Sequence, residues 1–135
     1  MTNPPRDDQL VTRHAPFVLI VEDHADTREA YSLHLRLSGF RTCEAENGAV
    51  GIRMARELHP DVIVLDYAMP LMDGVQASLF LKRDVSTRTI PILMLTAFRE
   101  ALGGRAQCDA YLDKPCSPHA MVDKLRELLA SKRSA

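Results

Sequence analysis

Four places in this chain put a reactive side chain where an apolar run gives out, and together they have the makings of a phosphoryl-transfer site. Asp66 closes Val62-Ile63-Val64-Leu65, and Glu22-Asp23 follow Phe17-Val18-Leu19-Ile20-Val21. Thr96 follows Ile90-Pro91-Ile92-Leu93-Met94-Leu95, and Lys114 follows Ala110-Tyr111-Leu112-Asp113. Three carboxylates brought within a few ångströms repel one another, each pair about 4 Å apart costing on the order of 4 kcal/mol at an effective dielectric near 20. A divalent cation resolves that conflict, and an oxygen-only set with few protein contacts suits Mg²⁺, which keeps several of its waters. A carboxylate beside Mg²⁺, an ammonium and a hydroxyl is equipped for phosphoryl transfer. Asp66 attacks phosphorus in line, Mg²⁺ and Lys114 meet the charge on the equatorial oxygens, and an aspartyl phosphate results. The Thr96 hydroxyl is then placed to hydrogen-bond the new phosphoryl group.

Each residue also has a plainer reading. Asp66 could open a turn, Glu22-Asp23 could favour the positive end of a following helix, Lys114 could be a solvated lysine and Thr96 a β-branched strand end. Complementary groups at four strand ends are much harder to explain that way.

The groups meet only if those runs are neighbouring strands with their carboxyl ends on one edge. Val62–Leu65 shows no polar alternation, as a strand covered on both faces does, and such sheets are mostly parallel. Helical stretches fall between the strands. Ala25 to Ser38 suits a helix with Ala30, Leu33 and Leu37 on one face, stopped by Gly39. Phe40 to Glu46 reads as an edge strand, and Asn47-Gly48 turns into a helix over Ala49 to Leu58 with Ile52, Ala55 and Leu58 inward. After Asp73-Gly74 a helix carries Val75, Leu79 and Phe80 toward the core. Phe98 to Cys108 holds Gly103-Gly104, about 1 kcal/mol each against a helix interior, so a short or broken helix is expected. Ser117 opens a last helix with the stripe Met121, Leu125, Leu128 and Leu129. Strand and helix alternate five times, which predicts an α/β fold: a doubly wound five-stranded parallel sheet of flavodoxin-like order, (βα)5, with a shortened fourth helix. Residues 1–15 are expected to form a flexible N-terminal tail, 16–131 the domain and 132–135 a C-terminal tail.

At 135 residues, 46% hydrophobic and 26% charged, the chain fits one ordinary globular domain. A net charge of −1 offers no pull toward nucleic acid or an anionic membrane. The apolar runs are strand-sized and no signal-peptide pattern is present, so neither a membrane span nor export is expected. Cys43, Cys108 and Cys116 lack CxxC spacing and read as free packing thiols of a reducing, cytoplasmic location. His14, His24, His34, His59 and His119 show no metal-ligand spacing; His24 alone stands beside the acidic pair, and His34 reads as a partly buried packing residue.

Glu22-Asp23, Asp66 in D-Y-A-M-P-L-M-D-G, Thr96-Ala97, and Tyr111 three before Lys114-Pro115 resemble the receiver domain of two-component response regulators, over about residues 16–131. The resemblance implies that Asp66 accepts a phosphoryl group from a phosphohistidine of a sensor histidine kinase or histidine phosphotransfer protein. It assigns Mg²⁺ to Asp23, Asp66 and the backbone carbonyl of Ala68, with Glu22 acting largely through water. It makes Lys114 the phosphoryl contact, with a cis Lys114-Pro115 bond, and Thr96 and Tyr111 a switch pair that swings inward. Ala68 and Phe98, two beyond Asp66 and Thr96, become positions that tune phosphoryl lifetime; a bulky Phe98 would shield the acyl phosphate.

Thr96 and Lys114 are 18 positions apart, where the family has roughly one more helical turn, about 4 residues. The deficit falls at Gly103-Gly104, so the face formed by the fourth helix, fifth strand and fifth helix is expected to be altered and 98–108 to be more mobile. The expected role is a stand-alone switch acting on an unidentified downstream protein, with no room for a DNA-binding effector. A Mg²⁺-dependent phosphatase of the haloacid-dehalogenase type is the enzyme alternative, but its first-strand Asp-x-Asp is replaced by Glu22-Asp23-His24-Ala25. A receiver-like scaffold that switches without phosphate is a third reading, against which the intact acidic cluster and Lys114 stand.

Overall fold

The computed structural model describes residues 14–134 apart from 103, so all but the end of the expected N-terminal tail lies outside the described residues. Five strands, β1 (Phe17–Val21), β2 (Arg41–Ala45), β3 (Val62–Asp66), β4 (Ile92–Thr96) and β5 (Ala110–Asp113), form one parallel sheet in the order β2-β1-β3-β4-β5. The unbroken apolar runs take the centre: every residue of β3 and β4 is buried, while the less apolar β2 and β5 form the edges. The doubly wound flavodoxin-like prediction therefore holds.

Alternate strand residues feed two cores. Val18, Ile20, Val62, Val64, Leu93 and Leu95 meet α1 (Ala25–Leu37) and α4 (Pro118–Ser134) on one face. Leu19, Val21, Ile63, Leu65, Ile92 and Met94 meet α2 (Gly48–Leu58) and α3 (Gly74–Arg83) on the other. The stripe expected on α4 is correct, with Met121, Leu125 and Leu129 buried. Helix α4 also continues through Ser134, so 132–134 are helical where a tail was expected.

Three helix faces differ from expectation. On α1, Leu33 and Leu37 are exposed, as are Ala30 and His34, and Ser32 and Leu35 turn inward instead. The helix is anchored there because the Ser32 and Thr42 hydroxyls share a 2.7 Å hydrogen bond to β2 and Leu35 packs into the core. Leu58 is exposed at the last turn of α2, next to a left-handed His59 that ends the helix. Phe80 is half exposed on α3, whose inward positions go to the smaller Ala77 and Ser78 and to Leu81.

Among the described residues of the crossover between β4 and β5 there is no α-helix, only one 3-10 turn over Arg99–Leu102. Gly104 follows at φ +74°, a conformation that ends helical winding and that glycine adopts without strain. In place of a helix, Leu102 inserts as a fully buried plug, with Ala106 beside it. The Gln107 N–H donates to Ser78 Oγ at 3.1 Å and ties the segment to α3. No described helix is long and apolar enough to cross a membrane.

Because one side chain does the covering work of the missing helix, Leu102→Ala is expected to cost about 2–5 kcal/mol of stability in urea unfolding. A loss below about 1 kcal/mol would show that the crossover contributes little to the core.

Candidate active site

The parallel register brings the reactive residues to one edge. Val21 pairs with Leu65, which sets Glu22 level with Asp66 across the β1–β3 seam. Asp66 pairs with Leu95, so Thr96 lies one step beyond it, and the Lys114 N–H donates to the Thr96 carbonyl at 2.9 Å. All four strand ends therefore deliver their side chains together.

Local structure holds each one. The Glu22 N–H donates to the Ala45 carbonyl, and Arg28 reaches back from α1 to the Glu22 carbonyl at 2.9 Å. After Asp66 the chain turns sharply, and the Gly74 N–H donates to the Tyr67 carbonyl at 2.9 Å. A Cβ on Gly74 would sit 2.8 Å from the Asp66 carbonyl oxygen and 2.8 Å from Tyr67 Cα. Only glycine allows α3 to start so close to the strand end. Asp73 caps that helix reciprocally with Gln76 in a capping box, which fixes the loop from its far side. Leu71, fully exposed at φ +71°, marks the tightest point of the turn.

Within the site, Asp66 and Glu22 are almost wholly buried and Asp23 is partly exposed. The Lys114 ammonium contacts Asp66 Oδ1. Glu22 Oε2 is buried with no hydrogen-bond partner among the described residues. Burial raises the Glu22 carboxyl from 4.5 to about 7, and the neighbouring Asp66 carboxylate adds to the rise. One ammonium offsets only part of three carboxylates. The buried, unpartnered oxygens and the hard, oxygen-rich donor set fit a divalent cation.

Thr96 is buried, and its Oγ1 accepts from the Phe98 N–H at 3.1 Å. Tyr111 is half-buried on the edge strand β5. Arg99 lies over its ring at 5.3 Å and pairs with Asp113 at 3.5 Å. The Cys108 thiol shares a hydrogen bond with the phenol, which holds the Tyr111 hydroxyl above its ordinary range. Ala68 and Phe98 are both exposed on the rim, Phe98 at 69%. The Lys114-Pro115 bond is cis. The three cysteines are free and half-buried; burial raises their thiols, Cys43 to about 11, which leaves them poor nucleophiles.

Two neighbours of the site were not legible in the sequence. Arg99 carried no motif. His24, set aside for lack of ligand spacing, turns Nδ1 toward the acids, 3.4 Å from Glu22 Oε1 and 3.3 Å from Asp23 Oδ1. Its direct adjacency to two acids at a strand end was the available signal.

Known proteins resemble this chain in sequence and fold. The sequence profile described as "Response regulator receiver domain" matches residues 18–126. The phosphate regulon transcriptional regulatory protein PhoB of Pseudomonas aeruginosa is 37% identical over 116 residues, covering 83% of this chain and 51% of the relative. The chain thus spans about half the length of that curated relative. A signal receiver domain of a histidine kinase from Syntrophus aciditrophicus superposes with a TM-score of 0.82 at 30% identity, covering 87% of this chain and 92% of the other. The receiver domain of sensor histidine kinase PA1611 from Pseudomonas aeruginosa, described with a magnesium ion coordinated in its active site cleft, gives 0.78 at 27% identity, covering 86% and 98%.

The raised Glu22 carboxyl favours the protonated form in the folded protein. The metal-free fold therefore loses stability as pH climbs from 4.5 to about 7, and stays at the lower level above that. Glu22→Gln, neutral at every pH, is expected to raise the melting temperature of chelator-treated protein at about pH 8 and to give no gain at about pH 4. An equal gain at both would show that charge burial at Glu22 is not the cause.

Proposed function

Because this chain belongs to the response regulator receiver domain family, the module of two-component signalling, we propose that Asp66 is its phosphoacceptor. The donor is a phosphohistidine on a sensor histidine kinase or a histidine phosphotransfer protein. An Asp66 carboxylate oxygen forms the new P–O bond as the P–N bond to the donor imidazole breaks. The imidazole keeps the bonding electron pair and takes up a proton. The observation that carries this reading is the convergence of Glu22, Asp66, Thr96 and Lys114 on one sheet edge, with Asp66 buried and in contact with the lysine ammonium.

Asp23, Asp66 and the Ala68 carbonyl would hold Mg²⁺, with Glu22 acting through water. When bound, the ion supplies positive charge against the transferring phosphoryl oxygens. Lys114 holds an ammonium at the attacking carboxylate and, after transfer, contacts the phosphoryl group in its place. Thr96 already spends its Oγ1 lone pair on the Phe98 N–H, so its hydroxyl proton remains available to the phosphoryl oxygen. Thr96 and Tyr111 form the switch: as Thr96 turns to the phosphoryl group, Tyr111 moves inward and gives up its contacts with Arg99 and Cys108. Ala68 and Phe98 border the entry of water to the acyl phosphate and set its lifetime. The chain promotes only its own phosphorylation and dephosphorylation, and its output is a protein-interaction surface reshaped around the short crossover for a downstream partner.

Incubation with Mg²⁺ and acetyl phosphate, followed by intact mass measurement, tests the assignment. One phosphoryl increment is expected, dependent on Mg²⁺ and absent in Asp66→Asn, with Lys114→Ala slowed at least about tenfold. An increment that persists in Asp66→Asn would place the acceptor elsewhere. Continuing release of phosphate beyond one equivalent per acceptor, at a rate typical of enzymes (about 1 per second or faster), would indicate a phosphatase instead.

A further inference from the structure

His24 gives this site something the acidic residues lack, a nitrogen donor. It occupies the N-cap position of α1, where Ser, Thr, Asp or Asn would hydrogen-bond the first helical N–H groups, yet its side chain makes no cap hydrogen bond. The imidazole instead directs Nδ1 at the carboxylates, 3.4 Å from Glu22 Oε1 and 3.3 Å from Asp23 Oδ1. Two ligands each about 2.1 Å from one ion stand roughly 3.0–3.4 Å apart for octahedral to tetrahedral angles, and these separations fall in that range. One donor atom from each of Glu22, Asp23 and His24 lies within 4.8 Å of the others. Independently, Glu22 is 2% exposed and the other oxygen of the same carboxyl, Oε2, is buried with no hydrogen-bond partner among the described residues.

We propose that His24 Nδ1 is a further metal ligand, and that with Glu22 and Asp23 it makes the acidic edge a mixed nitrogen–oxygen site for first-row transition cations of the Ni²⁺, Co²⁺ and Zn²⁺ class. The inference rests on the reading that this edge holds a divalent cation. Imidazole adds little affinity for hard Mg²⁺ and much for these borderline ions, whose affinities for nitrogen and oxygen donors rise along the first row. The histidine therefore widens the gap between Mg²⁺ and the transition cations. The donor is on the solvent side of the cluster, with the side chain 73% exposed, so an ion reaches it without opening the core.

Calorimetric titration of the full chain with Ni²⁺ alone and with Mg²⁺ alone at about pH 8 tests this. His24→Asn is expected to weaken Ni²⁺ at least about tenfold and to leave Mg²⁺ within about twofold, while Asp23→Asn weakens both. The visible absorption of Co²⁺-loaded protein is expected to shift in His24→Asn, reporting loss of a nitrogen ligand. Unchanged Ni²⁺ affinity in His24→Asn, or an equal loss for Ni²⁺ and Mg²⁺, would overturn the proposal and reduce His24 to an ion-pair partner. In that event Mg²⁺ binding and Asp66 phosphorylation would still stand. Absent Mg²⁺ binding beside His24-dependent Ni²⁺ binding would instead sink the phosphoacceptor reading.

Discussion

Three carboxylates meet at one sheet edge with a single ammonium among them, and the rest of the molecule is arranged around that imbalance. Glu22 and Asp66 are taken out of water by the same packing that buries β1 and β3, so solvent cannot screen their repulsion. The cost shows in the Glu22 carboxyl, which burial and Asp66 hold near neutrality. Such an edge is unstable by itself and responsive to added positive charge. A cation or a phosphoryl group with its counter-charge changes its energy by more than any rearrangement of the surface would. The parallel sheet makes this possible, because only parallel strands carry all their carboxyl ends to one side. Gly74 then lets α3 begin within van der Waals reach of the Asp66 carbonyl, closing the edge from below.

The short crossover between β4 and β5 shapes the surface beside that edge. With one 3-10 turn in place of a helix, the segment covers the sheet through Leu102 and leaves Arg99 standing over Tyr111. A cation–π contact of this kind contributes about 0.5–1 kcal/mol when exposed. It is large enough to bias the position of the ring and small enough for a rearrangement at Thr96 to override. The proposed switch thus runs through a contact made from the short crossover.

The strands and the residues at their ends were legible in the sequence because both follow from burial, whereas their order was only the commonest of several that fit five alternating units. β3 and β4 are buried at every position, so their apolar runs are unbroken and their ends conspicuous. Helix faces were less legible. On α1 the leucines at 33 and 37 suggest one stripe, but the helix sits on Leu35 and on a hydroxyl pair between Ser32 and Thr42, a contact across 10 residues that periodicity does not register. On α3 the buried positions include Ala77, Ser78 and Leu81 while Phe80 is half exposed, a face that the expected stripe of Val75, Leu79 and Phe80 only partly anticipated. Gly103-Gly104 announced a broken helix, and Gly104 bears that out, but nothing marked Leu102 as the plug. Arg99 acts through space rather than through a motif, and His24 was signalled only by its place next to the acidic pair.

The central claim is that the four strand ends form one phosphoryl-accepting unit that moves Tyr111. Amide and side-chain NMR of the protein with Mg²⁺ and beryllofluoride, a mimic of the phosphoryl group, tests it most directly. The largest shifts are expected at Glu22, Asp66, Thr96 and Lys114, with smaller ones reaching Tyr111 and Arg99, and none in Asp66→Asn. Shifts confined to other surfaces, or the same shifts in Asp66→Asn, would contradict the account.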